Sequence, residues 1–418
     1  MSYVTDNDNL LDDMLIKVGR ELLDDELSSP VFLNLTEINA HLPTFSRREV
    51  QFGHVLGKGM AGIVREVKSI NLLEEQCCSY DSVQNDSQAE SENSKIRDTE
   101  NLSYPYSSRN GLAALCKRNE ESRYAVKTIM VEDACVEQQA RARIDLAIEV
   151  SYLKVLSHPH IVKIRGTLNT NDLFHPKFFF VMDRLFGTLH DKIGEWDQRM
   201  KRKMMDLMHY VPIPFRRGKS CNRNRELLKE RLFVAYDIAS ALSYMHSNKV
   251  VHRDIKKQNI GFDIRGNVKV FDFGFAKSLR QDRASCCDYY NITANVGSIP
   301  YMAPEVALGR PYNEKCDVFS FGVLLFEIMS LRPPFSLTIT ENYLKFVAKG
   351  RKRPCIKMRW PSMTKVIMKD SWMTASCSRP SMESICNMIK MDLHELETEE
   401  NIASRTEYIA NISEHSSK

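Results

Sequence analysis

The 418-residue sequence contains no apolar run long enough to cross a bilayer. The longest, VFSFGVLLFEIM, falls well short of the ~20 residues a spanning helix needs, so membrane insertion is not expected. The acidic N-terminus, MSYVTDNDNLLDD, lacks the basic and apolar regions of a secretory signal, which points to a cytoplasmic location, with the nucleus as the alternative. Net charge is also small, at +4, and makes no electrostatic case for nucleic acid or a membrane surface as principal partner. No dedicated nucleic-acid domain is expected. The eleven cysteines are scattered singles plus the pairs Cys77–Cys78 and Cys286–Cys287, and none is spaced as CxxC. That pattern supports neither a disulfide framework nor a zinc site.

What is present is an ordinary globular composition, 43% hydrophobic and 27% charged, with enough chain for two or three packed units. Residues 9 to 27 place Leu11, Met14 or Leu15, Val18, Leu22, Leu23 and Leu27 at helical spacing, which predicts an amphipathic helix that packs on the main domain or docks a partner. Val50 to Val67 reads as two strands around a tight turn, and 121–131 as another strand. Between them, residues 68–120 are rich in Ser, Asn and acids and are expected to be a disordered insert. A second, basic insert at 198–225 is expected to be irregular, and is either a solvated surface or a site for an acidic protein, nucleic acid or an import receptor. A long amphipathic helix follows, with Leu228, Leu232, Ala235, Ala239, Leu242 and Met245 on its apolar side.

Chemistry concentrates at a few places. LGKGMAGIV carries Gly57, Gly59 and Gly62 as G-x-G-x-x-G between strands; a dinucleotide fingerprint would need a helix after the glycines. Glycines there let backbone amides approach phosphate oxygens, and Val64 can cover an aromatic base. Lys127 sits inside an apolar strand, where an ammonium is costly without an anion; Glu149, on a helix whose Ala147, Val150, Leu153 and Leu156 face inward, is the proposed partner. The alternative is an exposed helical glutamate. In VVHRDIKKQNIGFD, Asp254 suits a proton acceptor, Asn259 offers an amide oxygen to a hard cation, and Lys256 supplies positive charge where a phosphoryl group would move. Asp272, in VKVFDFGFAK, can bind Mg²⁺, Phe273 packs, and Gly274 permits a sharp turn.

In this order the pieces resemble the protein kinase family over about residues 50–392. Further matches are Ala303-Pro304-Glu305, Asp317 in CDVFSFGVLLFEIM, and Arg379 as the partner of Glu305. The resemblance implies a bilobal α+β fold, with a small β-rich lobe carrying one main helix and a larger, mostly helical lobe. It divides the chain into an N-terminal extension, 1–49, a kinase domain, 50–392, and a tail, 393–418. It makes Lys127 the phosphate clamp paired with Glu149, Asp254 the catalytic base, and Asn259 and Asp272 the magnesium ligands. ATP and Mg²⁺ are the implied cofactors. Leu56, Gly57, Lys58, Gly59, Gly62, Val64 and Ala125 would form the nucleotide envelope. Met182 would guard the back pocket, the backbones of Asp183 and Leu185 would bond adenine, and His252 would pack against Phe273.

Lys256, two residues after the catalytic aspartate, with Ser298 as its hydroxyl partner, resembles the serine/threonine type. Phe319-Ser320-Phe321-Gly322 and the Trp372…Arg379-Pro380-Ser381 ending resemble the tyrosine-kinase-like branch, which keeps dual specificity open. Lys257 departs from the pattern, since many relatives carry proline there, and it leaves substrate preference open. The implied partners are protein substrates and an upstream kinase that phosphorylates Thr293, with Arg253 binding the phosphate; Ser285, Tyr289 and Tyr290 are other acceptors. The competing functional reading is a nucleotide-binding pseudokinase scaffold.

Overall fold

The computed structural model describes residues 6–30, 32, 42–59, 62–73, 108–118, 121–129, 135–210, 216–280 and 288–415. One lobe is built on a six-stranded sheet, and the other is mostly helical, so the fold is bilobal α+β. Strands β1 (Thr44–Phe45), β2 (Val50–Gly59) and β3 (Gly62–Ile70) precede a short helix at Arg109–Ala114 and a two-stranded ribbon, β4 (Lys117–Arg118) and β5 (Glu121–Ser122). Then come β6 (Tyr124–Thr128), β7 (Ile164–Leu168) and β8 (Phe179–Asp183), giving the order β1-β7-β8-β6-β3-β2. The β1–β7 pair is parallel and the other pairs are antiparallel.

The central strands β6 and β8 read YAVKT and FFVMD, apolar on both faces, because one face covers a helix and the other lines a cleft. That helix, Val136–Val155, buries Leu146, Val150 and Leu153. In the other lobe the axis is the helix Lys315–Ser330, buried from Cys316 through Met329. The helix Arg216–Ser247 places Leu232, Ala235, Ala239, Leu242 and Met245 in the core, and Met382–His415 packs along it. Two small antiparallel pairs, β10 (Ile260–Phe262) with β11 (Val268–Val270), and β9 (Val250–Val251) with β12 (Lys277–Ser278), carry the loops that matter chemically. No helix among the described residues is long and apolar enough to cross a membrane.

The N-terminal helix, α1 (Asp6–Leu27), packs on the helix Val136–Val155, but by a different face from the one hydropathy indicates. Leu11, Met14, Val18 and Leu22 are exposed; Leu23 is buried with Ala147 and Phe174, and Gly19 abuts Ile144. The packed face is partly polar, with Asp12 paired to Arg143 at 2.9 Å and Glu26 buried, so an apolar stripe does not reveal it. The expected insert at 68–120 is ordered at both ends: β3 runs to Ile70, and Leu112 and Cys116 are buried. Residues 74–107 between those ends lie outside the described residues. The basic stretch 198–225 is helical rather than irregular at its two ends, within Leu189–Tyr210 and Arg216–Ser247; 211–215 lie outside the described residues. The boundary expected at 392–393 falls inside a continuous helix, because Leu393 and Leu396 still pack on the core.

Candidate active site

The site is assembled around a buried carboxylate that lies behind the cavity wall. Asp317, on the helix Lys315–Ser330, accepts the amides of His252 at 2.8 Å and Arg253 at 2.9 Å and bonds the His246 ring at 3.0 Å. Burial works against its charge, but the His246 ring and the His252 amide hold Asp317 below the usual carboxylate value. This grip fixes Arg253 at a φ of +67°, a left-handed turn that arginine adopts only when its surroundings impose it. The chain leaves buried Val250 and Val251 and delivers Asp254 to the cleft floor. His252 is fully buried with its ring 5.1 Å from that of Phe273, which makes it a packing residue.

Asp254 sits in a small network. Its Oδ2 accepts from Lys256 Nζ at 2.6 Å and from the Asn259 amide at 2.9 Å. Lys256 Nζ also donates to Ser298 Oγ at 2.9 Å, joining this loop to the segment before Ala303. The other oxygen of Asp254, Oδ1, is buried with no hydrogen-bond partner among the described residues. The amide nitrogen of Asn259 is spent on Asp254, so its carbonyl oxygen is the end left for the cleft.

Asp272 follows β11 by two residues, at a φ of +68°. Lys127 Nζ lies 3.1 Å from Asp272 Oδ1 and 2.6 Å from Glu149 Oε2. Burial works against the lysine's charge, but Asp272 and Glu149 outweigh it and raise its pKa. Lys127 in turn holds Asp272 below its ordinary value, against burial. Burial pushes the Glu149 carboxyl up to about 7, with Lys127 opposing.

One cavity of about 870 Å³ gathers these groups. Leu56, Gly57, Lys58, Gly59, Gly62 and Val64 form its roof, and Ala125, Met182 and Leu185 its inner wall. Lys127, Glu149, Asp254, Lys256, Asn259, Asp272 and Ser298 line the polar end. A Cβ added at Gly57 or Gly59 would meet nothing within 4 Å, so both glycines face open space. Three expected site residues stand outside it. The Asp183 carboxylate is tied to Arg165 at 2.7 and 2.8 Å, so this side chain is not available to a ligand. Along that run, the amides of Asp183, Arg184 and Phe186 donate to main-chain oxygens of Lys163, Arg123 and Phe262. Arg253 bonds the Phe275 carbonyl and the Tyr312 hydroxyl, and that hydroxyl donates to the Thr293 carbonyl at 2.7 Å. Ser285 lies outside the described residues.

Asp145 also lines the cavity, and burial pushes its carboxyl up to about 6. It lies one turn before Glu149 on the same helix face, a spacing that could have revealed it. Glu305 and Arg379 form a buried two-pronged pair at 2.6 and 2.8 Å that braces the segment from below. The donor set fits a nucleotide with a divalent cation: one carboxylate and one amide oxygen for a hard ion, an ammonium beside them, and a glycine roof above.

Comparisons with known proteins agree with this geometry. A probable LIM domain-containing serine/threonine-protein kinase of Dictyostelium discoideum is 36% identical over 160 residues, covering 38% of this chain and 23% of that protein. The serine/threonine-protein kinase CTR1 of Arabidopsis thaliana is 28% identical over 268 residues, 64% of this chain and 28% of that protein. STY17 of Arabidopsis thaliana, also a serine/threonine-protein kinase, is 31% identical over 174 residues, 41% of this chain and 29% of that protein. The chain thus spans less than a third of the length of each of these relatives. Residues 109–402 match the protein kinase domain, and the chain belongs to the protein kinase family.

Proposed function

We propose that the protein is an ATP-dependent serine/threonine kinase, with features of the tyrosine-kinase-like branch, that transfers the γ-phosphate of Mg-ATP to protein hydroxyls. The observation that carries this reading is the Asp254–Lys256–Ser298 network, which shares one cavity with Asn259, Asp272 and the Lys127–Glu149 pair. Lys127, held charged by two carboxylates, binds and orients the nucleotide phosphates. The unpartnered Oδ1 of Asp254 accepts the proton of the acceptor hydroxyl while Lys256 steadies Oδ2. Asn259 and Asp272 would hold magnesium, which when bound offsets charge on the transferring phosphoryl group. Leu56, Val64, Ala125 and Met182 exclude water around the base. The bond from Lys256 to Ser298 supports serine/threonine acceptors.

The deciding experiment is phosphate incorporation into a generic protein acceptor by wild type and Asp254→Asn. Loss of a general base costs ~10²–10⁴-fold, so equal signals would refute the enzyme reading and leave a scaffold. Thr293 is the proposed site for an upstream kinase, supported by the Tyr312 bridge between its carbonyl and Arg253. Unchanged activity and unchanged loop proteolysis in Thr293→Ala would refute that switch. Residues 1–49 are proposed as an extension of a kinase domain that starts near 50, and the basic stretch 198–225 as a site for an acidic partner. The cytoplasm is the proposed location.

A further inference from the structure

The cavity does not end at Asp254. It continues past the turn Lys257–Asn259, between Ser298–Tyr301 and the Pro333–Phe335 bend, into a second half that has no glycine roof. A polypeptide presenting a hydroxyl to Asp254 must lie along this half. Its charge is therefore what a substrate meets.

Beside the acceptor site, Asp254 pairs with Lys256 and Glu327 with Lys257, and only Asp254 Oδ1 is left without a hydrogen-bond partner among the described residues. Glu327, on the helix Lys315–Ser330, is buried, and both of its oxygens are occupied: Oε1 by Lys257 Nζ at 2.9 Å, Oε2 by the Tyr301 hydroxyl. The Lys257 side chain is 19% exposed against 3% for Glu327, so the ammonium lies over the carboxylate on the solvent side. An uncharged side chain at 257 would leave this carboxylate facing the cleft with only a tyrosine for company. A carboxylate in a part-buried cleft is a strong receptor for an arginine or lysine, because little water competes for it.

We infer that Lys257 is a specificity-determining residue: by occupying Glu327 it closes an acidic receptor beside the acceptor site, so favoured substrates carry neutral or acidic residues there rather than basic ones. This rests on the kinase reading and names the substrate class of the same cleft. It also gives the departure at Lys257 a function, since the residue bonds none of the groups that move phosphate.

The test uses the full chain with a matched set of serine peptides, each carrying Arg, Ala or Glu at one position flanking the acceptor, and reads the Arg/Ala ratio of kcat/KM. For wild type the ratio is expected at or below one at every position. Lys257→Met keeps the stem without the charge and is expected to raise the ratio about tenfold or more at one position. Lys257→Arg is expected to restore the wild-type ratio, and Glu327→Gln in the Lys257→Met background to abolish the gain. A wild-type preference for arginine of about tenfold overturns the inference even if Lys257→Met does not fold. An unchanged ratio in folded Lys257→Met, with phosphate still entering the Ala peptide, overturns it while leaving the kinase reading intact. Absence of phosphate from every peptide, with wild type and Asp254→Asn alike, overturns both.

Discussion

Glu26, near the end of α1, offers a stringent test of how the N-terminal helix is joined to the catalytic machinery. Its buried carboxylate accepts the Ser278 amide at 2.6 Å and the Tyr152 hydroxyl, and pairs with Lys277. One side chain thus ties α1 to the helix that carries Glu149 and to the strand β12 that follows Asp272. Glu26→Ala would leave a buried hydroxyl, a buried amide and a half-buried ammonium without their acceptor. Breaking such a buried pair costs about 3–5 kcal/mol, so a loss of about 4 kcal/mol is expected. At about 2 °C per kcal/mol for a domain of this size, Tm should fall by about 8 °C. Hydrogen exchange at the Ser278 amide supplies a second reading, expected to quicken about tenfold or more even if α1 peels away without global unfolding. Glu26→Gln, which keeps an acceptor oxygen, should lose about half as much. A Tm within 2 °C of wild type together with unchanged exchange at Ser278 would refute the claim that Glu26 holds these elements together.

Other outcomes follow from the site. Burial pushes Glu149 up to about 7, so its pairing with Lys127 should weaken as pH falls from 8 to 6. The KM for ATP should rise over that range, and Glu149→Gln should flatten the profile. The stability contribution of the raised carboxyl has the opposite sign: it is full below the ordinary value of 4.5 and is lost as pH rises through about 7, which thermal melts across pH would show. Arg379→Ala leaves Glu305 buried and uncompensated and should cost about 3–5 kcal/mol in denaturant unfolding. Gly297 has a φ of +104°, and a Cβ there would lie 2.4 Å from the Arg253 carbonyl oxygen. Gly297→Ala should therefore cut phosphate transfer more than about tenfold by displacing Ser298 and Arg253, as kcat measurements would show.

The cleft residues Lys127 and Asp254 were legible because each is a residue type out of place for its surroundings. Lys127 in an apolar strand and Asp254 after two valines signal a partner or a reaction, and the structure brings both to one cavity. Glu327 and Tyr301 stayed hidden because they sit in runs that read as core, where nothing distinguishes a paired acid from a tolerated one. The N-terminal helix misled for a related reason. Its packed face includes Asp12, Gly19 and Glu26, whose fit depends on Arg143, Ile144 and Ser278 far along the chain, whereas Leu11, Met14, Val18 and Leu22 form a better stripe and face outward. The end of the insert at 68–120 was missed because the apolar cluster from Leu112 to Cys116 is too short to show a period.

The bond from Glu26 to Ser278 spans 252 residues of sequence, and that separation bears on how the chain is made. At about 5–20 residues per second, α1 leaves the ribosome some 13–50 s, as an order of magnitude, before its strand partner exists. A helix made this long before its strand partner is thus late to complete its contacts. Leu23 is covered sooner, once Ala147 and Phe174 have been made, and until those two exist the nascent chain is a natural client for chaperones.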